Sequence, residues 1–228
     1  MIGEPTTISR IVELIHLPIQ HTAETLREIY AEISTSCGYD NFIRQQGGAR
    51  LESLETESGS ISRVTFMRDR IIFQEERTSS GLEHLVRRIE EALKVATVKA
   101  GIPLLIARTI TQRAVASVAN GETASNFQAR TVFRFEEEDL ATLNRPTQVV
   151  GFRLNFPARQ PQEGSHRVRI ETYLRDPASL FIEDVGTFKV PVQAQDQSRL
   201  KTELREVEEF LGSHLTAFLN RLSFTDNE

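Results

Sequence analysis

The chain has 228 residues, 39% of them hydrophobic and 26% charged, a composition ordinary for a folded protein with a substantial core. Its formal net charge of −5 argues against nucleic acid as a partner, because phosphate binding requires clustered positive charge. The single cysteine excludes an intrachain disulfide, and no apolar run approaches the ~20 residues that cross a bilayer. With no signal-peptide pattern at the N-terminus, we expect a cytoplasmic protein without membrane contact.

The first half of the chain, residues 1–103, alternates strand and helix patterns. Leu26, Ile29 and Ile33 recur at helical spacing, and Gly38 follows as a helix terminator. Ser80 precedes Glu83 by three residues, the spacing of a helix capping box. These patterns predict a strand at 8–17, a helix at 22–36, strands at 49–55, 61–68 and 70–78, and a helix ending near residue 100.

The second half, residues 104–228, repeats this order with one ambiguous segment. Residues 127–143 fit either a strand or a helix, and the acidic run from Glu136 to Asp139 favours a helix start there. The final apolar seam recurs every three or four residues, from Leu200 to Leu222. The predicted elements are a strand at 105–118, a helix at 136–143, strands at 148–156, 166–175 and 180–192, and a helix at 197–222.

Two segments of the chain resemble each other. Residues 61–76 and 167–184 both contain Arg-Val near the start (63–64 and 167–168), reach Arg-Asp and then Phe-x-Glu followed by an acid, and each precedes a long amphipathic helix. An internal repeat of this size constrains the fold more than any single motif. We therefore expect an α+β protein built from two β-α-β-β-β-α repeats, 1–103 and 104–228, which could form one continuous domain. The sheet is expected to be mostly antiparallel, with helices on one face and a pseudo-twofold axis.

Strand-like motifs in residues 150–190 carry a family resemblance. The runs Val-Gly-Phe-Arg-Leu at 150–154, Arg-Val-Arg-Ile-Glu at 167–171 and Arg-Asp-Pro-Ala-Ser-Leu-Phe-Ile-Glu at 175–183 resemble a sporadically distributed, uncharacterised prokaryotic family of about this length. The resemblance implies no activity and no catalytic residues. The doubled element order is also similar to the saddle of the TATA-binding protein, in architecture alone. The acidic charge departs from the basic underside of that protein.

The best candidate for a functional site is the polar face of the second-half sheet. Its members share an outward position on two alternating strands: Arg153, Asn155, Arg167, Arg169, Glu171 and Tyr173. Arginines beside an amide and an aromatic ring suit an anion, a carboxylated ligand or a nucleic-acid backbone. The alternative is a solvated sheet face with cross-strand Arg–Glu pairs.

Motifs of catalysis are not visible in the sequence. It contains no Gly-x-Ser-x-Gly elbow, Walker loop, Gly-x-Gly-x-x-Gly or His-Glu-x-x-His, and His16 and His21 lack the spacing of a zinc site. We therefore predict no catalytic residue, metal or cofactor. Phe210 and Leu219 widen the apolar face of the final helix, which is one reason to expect a twofold homodimer.

The leading hypothesis is a non-enzymatic cytoplasmic binding or interaction protein. Its partner would be another protein or a small anionic ligand, held on the uncovered sheet face or between the two halves. Two alternatives stay open: an anion-binding protein or enzyme built on the arginine-rich strands, and a nucleic-acid-binding protein that uses the same arginines.

Overall fold

A single large sheet dominates the computed structural model, which describes residues 1–55, 59–77 and 80–224. Position 78, predicted to end a strand, lies outside the described residues. The strands are β1 (Thr6–His16), β2 (Asn41–Gln45), β3 (Gly48–Glu55), β4 (Ser60–Phe66), β5 (Arg70–Glu76), β6 (Leu104–Ser117), β7 (Gly151–Phe156), β8 (Ser165–Thr172), β9 (Ser179–Phe188) and β10 (Val192–Gln193). The α-helices are α1 (Ala23–Cys37), α2 (Leu82–Lys99), α3 (Ala124–Gln128), α4 (Glu137–Ala141), α5 (Gln197–Glu209) and α6 (Thr216–Phe224). Two π-helical turns, Ala129–Phe133 and Phe210–Leu215, follow α3 and α5 directly.

The strands lie in the order β2-β3-β4-β5-β1-β6-β9-β8-β7, and β10 pairs with β6. Every described strand pair is antiparallel. β1 and β6 form the centre of the sheet, with Val12 opposite Ile110, while β2 and β7 are its edges. The α+β class and the mostly antiparallel sheet are thereby confirmed.

One face of the sheet is covered by helices. Along β1 and β5, Val12, Leu14 and Phe73 alternate with partly exposed neighbours, and each is at most 1% exposed against the apolar stripes of the helices. Val168 and Ile170 of β8 are likewise fully buried, beneath α3 and α6. The alternate residues point the other way and form what we call the open face, which carries no helix in the described part of the chain.

A buried ion pair fixes α5 over the middle of the sheet. Arg108 of β6 and Glu203 of α5 are both fully buried, and Arg108 Nε donates to Glu203 Oε2 over 2.9 Å. Arg199 Nε donates to the other oxygen of the same carboxylate over 2.9 Å. Because an unpaired charge at this depth is costly, the pair restricts how α5 can lie relative to β6. The position of α5 matters because this helix forms one wall of the groove described below.

The structure departs from the predicted elements in several places, among them the strand predicted at 180–192, which is divided into β9 and β10. β2 was not predicted, and it forms a hairpin with β3 through Gly47, whose φ of 78° favours glycine. In the ambiguous segment 127–143 the helix predicted at 136–143 is present as the short α4, but the residues before it form the end of α3 and a π turn, with Arg134 in the left-handed region between them. The final helix is interrupted by a π turn, and α2 begins after Gly81 rather than at a Ser80 side-chain cap.

Candidate functional site

The strand residues predicted as a site lie together on the open face. Arg153 of β7 is opposite Arg169 of β8, and Asn155 is opposite Arg167. Arg169 is in turn opposite Glu183 of β9. A row of charged side chains therefore crosses three neighbouring strands.

Part of this row consists of ion pairs. Arg169 lies 3.5 Å from a Glu183 oxygen and 3.8 Å from a Glu171 oxygen, with its guanidinium 5.0 Å from the Phe181 ring centroid. Glu183 also accepts a 2.7 Å hydrogen bond from Arg113 Nε. Such pairs are what the solvated-face interpretation expects.

The rest of the row has no such partners. Arg153, Asn155 and Arg167 are exposed, and no ion pair or hydrogen bond joins either arginine to another described residue. Tyr173 follows the end of β8, and its ring stacks 6.4 Å from Phe181 on the same face. We call Arg153, Arg167 and Arg169 the arginine patch.

A separate groove opens on the covered side of the sheet. It lies between α5 with its π turn and the hairpin of β7 and β8, has a volume of about 1030 Å³, and is called the hairpin groove here. Its lining is Phe156, Pro157, Arg159, Glu163, Gly164, His166, Thr202, Arg205, Glu206, Glu209, Phe210 and His214. None of the residues predicted from the sequence as a site lines it.

A histidine held by a buried acid lies against the groove. His166 Nδ1 donates to Asp184 Oδ2 over 2.8 Å, and Asp184 is fully buried. The second Asp184 oxygen, Oδ1, has no hydrogen-bond partner among the described residues. His166 is 8% exposed, and its Nε2 lies 3.4 Å from Glu206 Oε1 on α5. The imidazole therefore bridges a carboxylate beneath it and a carboxylate at the groove.

The two partners of this contact have displaced pKa values. Burial by itself would lower the pKa of His166, but the hydrogen bond and charge of Asp184, with those of Glu206, outweigh it and the pKa is raised. Burial raises the pKa of Asp184, and the contact with His166 offsets this in part. The imidazole is thus favoured in its protonated, charged form.

Aromatic rings form the wall beside His166. The Phe210 centroid lies 4.2 Å from that of His166, and Phe156 meets Phe210 edge-on at 5.3 Å. Phe210 is the first residue of the π turn, a local widening of the helix that is frequent at functional sites. Beside the wall, Gly164 lies against the ring of Phe188, where a Cβ would approach to 2.5 Å, so glycine permits this close contact between the hairpin and β9.

Charges around the hairpin groove are unequally paired. Arg159 Nε donates to Glu163 over 3.3 Å, and Arg205 donates to Glu83 of α2 over 2.7 Å. Glu209 has no ion pair or hydrogen bond with any other described residue. Both arginines of the groove are therefore already bound to acids, whereas the Glu209 carboxylate is without a partner among the described residues.

His166 was not among the site residues predicted from the sequence. A usable signal was its position two residues before Val168 and four before Ile170, which places it on the same buried face of β8. A polar residue on a buried strand face requires a partner, and Asp184 occupies the equivalent face of β9.

In the ranges 1–55, 59–77 and 80–224, no group of three or more histidine, cysteine or acidic side chains is placed to hold a metal ion. Within those ranges no helix is both long and apolar enough to cross a membrane.

No protein-family model matches the chain, and no curated protein matches it either. The family resemblance of residues 150–190 stays a prediction.

Proposed function

We propose that this chain is a non-enzymatic cytoplasmic interaction protein that binds an acidic segment of a partner protein on its open face. The observation that carries this proposal is the pair Arg153 and Arg167, exposed on adjacent strands and without an ionic partner among the described residues. Each exposed guanidinium group can donate to a carboxylate through two parallel hydrogen bonds.

The surroundings of the patch support a protein partner. Val185 is opposite Arg167 on β9, and Thr111 is opposite Val185 on β6, so apolar and β-branched side chains adjoin the arginines. Ile11 of β1 continues this strip as the neighbour of Thr111. An apolar strip with charged residues beside it is the usual composition of a protein interface.

We also infer that the fold arose from two repeats, 1–103 and 104–228, related by a pseudo-twofold axis as in a TATA-binding-protein-like saddle. Three features support this: β1 and β6 pair at the sheet centre, β5 and β9 flank them, and long helices α2 and α5 follow those flanking strands. An experimental structure in which the two halves do not superpose strand for strand would refute the duplication.

The test uses a fluorescein-labelled oligoglutamate peptide and measures its binding by fluorescence anisotropy at low ionic strength. Replacing both exposed arginines, Arg153→Ser with Arg167→Ser, is expected to weaken binding by tenfold or more, since each charge-assisted hydrogen bond is worth about 1.5–3 kcal/mol. The matched control is Arg27→Ser with Arg44→Ser, which removes the same charge from exposed positions of the first half.

The proposal fails if the native protein does not bind the peptide, or if both double variants lose affinity equally. Competition by inorganic phosphate at comparable concentration would favour a small-anion site instead. Binding of a single-stranded oligonucleotide without binding of oligoglutamate would favour the nucleic-acid alternative. Sedimentation velocity distinguishes a further occupant, because a homodimer through the open face would dissociate in the Arg153→Ser, Arg167→Ser variant.

A further inference from the structure

We propose that the hairpin groove is a second binding site, and that its ligand is an organic cation with primary ammonium groups on an apolar chain. The site lies on the covered side of the sheet, whereas the arginine patch lies on the open face. The proposal is therefore independent of the acidic partner proposed above.

The hairpin groove is large and has an aromatic wall. About 1030 Å³ is far more than a single ion occupies and lies in the range of ligand pockets. Phe156, Phe210 and the His166 ring form a continuous aromatic wall, with successive centroids 5.3 and 4.2 Å apart. Apolar methylene groups can pack against such a wall, and an ammonium group near a phenyl face is attracted by its quadrupole.

The arginines of the groove are already paired, whereas an acid on α5 is still able to bind a ligand. Arg159 and Arg205 are held by Glu163 and Glu83, so neither is available to an anion without breaking an existing pair. On α5, Glu209 has no ionic or hydrogen-bond partner among the described residues. A ligand anion would therefore meet unpaired negative charge, whereas a ligand cation would neutralise it.

The acids of α5 lie above the His166 imidazole, whose position Asp184 fixes. Glu206 is three residues before Glu209 on the same helix, so the two carboxylates are neighbours on the surface of α5. The polar contact of Glu206 is the 3.4 Å approach of His166 Nε2, which is longer than an ordinary charge-assisted hydrogen bond. Because Asp184 already stabilises His166 from below, Glu206 can turn to an ammonium group without leaving the imidazole unpaired.

The site is tested by isothermal titration calorimetry at low ionic strength with two probes, spermidine and N-acetyl-lysine N-methylamide. Saturable binding of spermidine alone would identify a free polyamine as the ligand class. Binding of the lysine amide would identify the basic side chain of a peptide. The His166 imidazole resonances, followed by NMR, should shift during the titration, because that ring lies at the proposed site.

The decisive variant is Glu206→Gln with Glu209→Gln, which keeps the side-chain size and removes the charge. It is expected to weaken binding by about tenfold or more, the effect of losing a charge-assisted hydrogen bond. The matched control, Glu24→Gln with Glu138→Gln, changes two exposed helix acids away from the groove and should bind within about twofold of the native protein.

A second variant, Phe156→Leu, tests the aromatic wall at a residue that is 38% exposed and therefore of limited importance for folding. It should weaken binding by about threefold, the loss expected for one cation–π contact. The Arg153→Ser, Arg167→Ser variant should bind both probes as the native protein does. Absence of saturable binding to both probes, or unchanged affinity in the Glu206→Gln, Glu209→Gln variant, would overturn the site.

Discussion

Two buried carboxylates, one in each half of the sheet, are neutralised in different ways. Glu75 of β5 is 3% exposed and lies 3.4 Å from Arg88 Nη1 of α2, which also donates to Ser62. Asp184 of β9 is fully buried, but its partner is His166 of the neighbouring strand. In both acids one oxygen has no hydrogen-bond partner among the described residues.

The covering helix explains the difference between the two sites. In the first half, α2 supplies the cation, and the guanidinium of Arg88 also lies 5.5 Å over the Tyr39 ring. In the second half, α5 supplies a further carboxylate, Glu206, and its π turn leaves space beside the hairpin. The cation beside Glu75 is thus a permanently charged guanidinium, whereas the partner of Asp184 is a titratable imidazole that adjoins a groove. The first acid is thus paired with a permanent charge, whereas the second lies beneath the groove for which we propose a cationic ligand.

The largest effect should come from Arg88→Met. This change removes the ion-pair partner of the buried Glu75, and breaking a buried pair in this way costs about 3 kcal/mol of unfolding free energy. Urea denaturation measures it. Adding Glu75→Gln to the same chain should restore much of the loss, because no unpaired charge then remains. A loss in Arg88→Met of less than about 1 kcal/mol would show that the pair behaves like a surface contact.

A smaller effect is expected from Asp184→Asn. The amide keeps the size of the side chain, and His166 can lose its proton rather than remain as an uncompensated buried charge, so the cost should be about 1 kcal/mol. The pKa of His166, followed by NMR, should fall, because the hydrogen bond and charge of Asp184 help to raise it. An unchanged His166 pKa would contradict the assigned contact.

The smallest effect concerns pH. Because the folded-state pKa of His166 is raised above 6.5, the stabilisation from its protonated form is complete below pH 6.5. That stabilisation is lost as the pH rises through the folded-state value. The unfolding free energy should then decrease by no more than about 1.4 kcal/mol per pH unit for this one group. His166→Gln should abolish the decrease, whereas His214→Gln, at an exposed histidine of the same groove, should retain it.

Glu75 provides the contrast in the acid range. Burial raises its pKa although Arg88 opposes the shift, so its ionisation on raising the pH above 4.5 is destabilising. Glu75→Gln should remove that contribution and leave the neutral-range dependence of His166 unchanged. Loss of both pH dependences in one variant would mean that the two sites are coupled.

Local patterns predicted much of the fold. The stripe Leu26, Ile29 and Ile33 is buried as expected, and Gly38 ends α1 in the left-handed conformation with φ 70°. Alternation in β8 likewise predicted the buried positions of Val168 and Ile170. The same alternation placed Leu174 on the buried face, and that prediction is wrong: Leu174 is 64% exposed because β8 ends at Thr172 before a turn. Periodicity describes which face a residue occupies only while the element continues.

The candidate sites differ in how far sequence could reach them. Arg153, Arg167 and Arg169 lie on two strands joined by a hairpin, so alternation was enough to place them together. The hairpin groove combines His166 of β8 with Glu206 of α5, which are forty positions apart in the chain. Their approach depends on how α5 packs on the sheet, and no local pattern encodes that distance.

The sequence by itself determined the α+β class, the polar and apolar faces of the strands, and the exposed arginines, because each follows from hydrophobic periodicity within one element. Tertiary structure decided that Arg169 is bound to Glu183 while Arg153 and Arg167 are without ionic partners in the described chain. It also decided that Asp184 and Glu206 meet the same imidazole, since strand register and the buried Arg108–Glu203 pair position α5. Those arrangements arise from packing and charge burial between segments that are far apart in the sequence, so no single element encodes them.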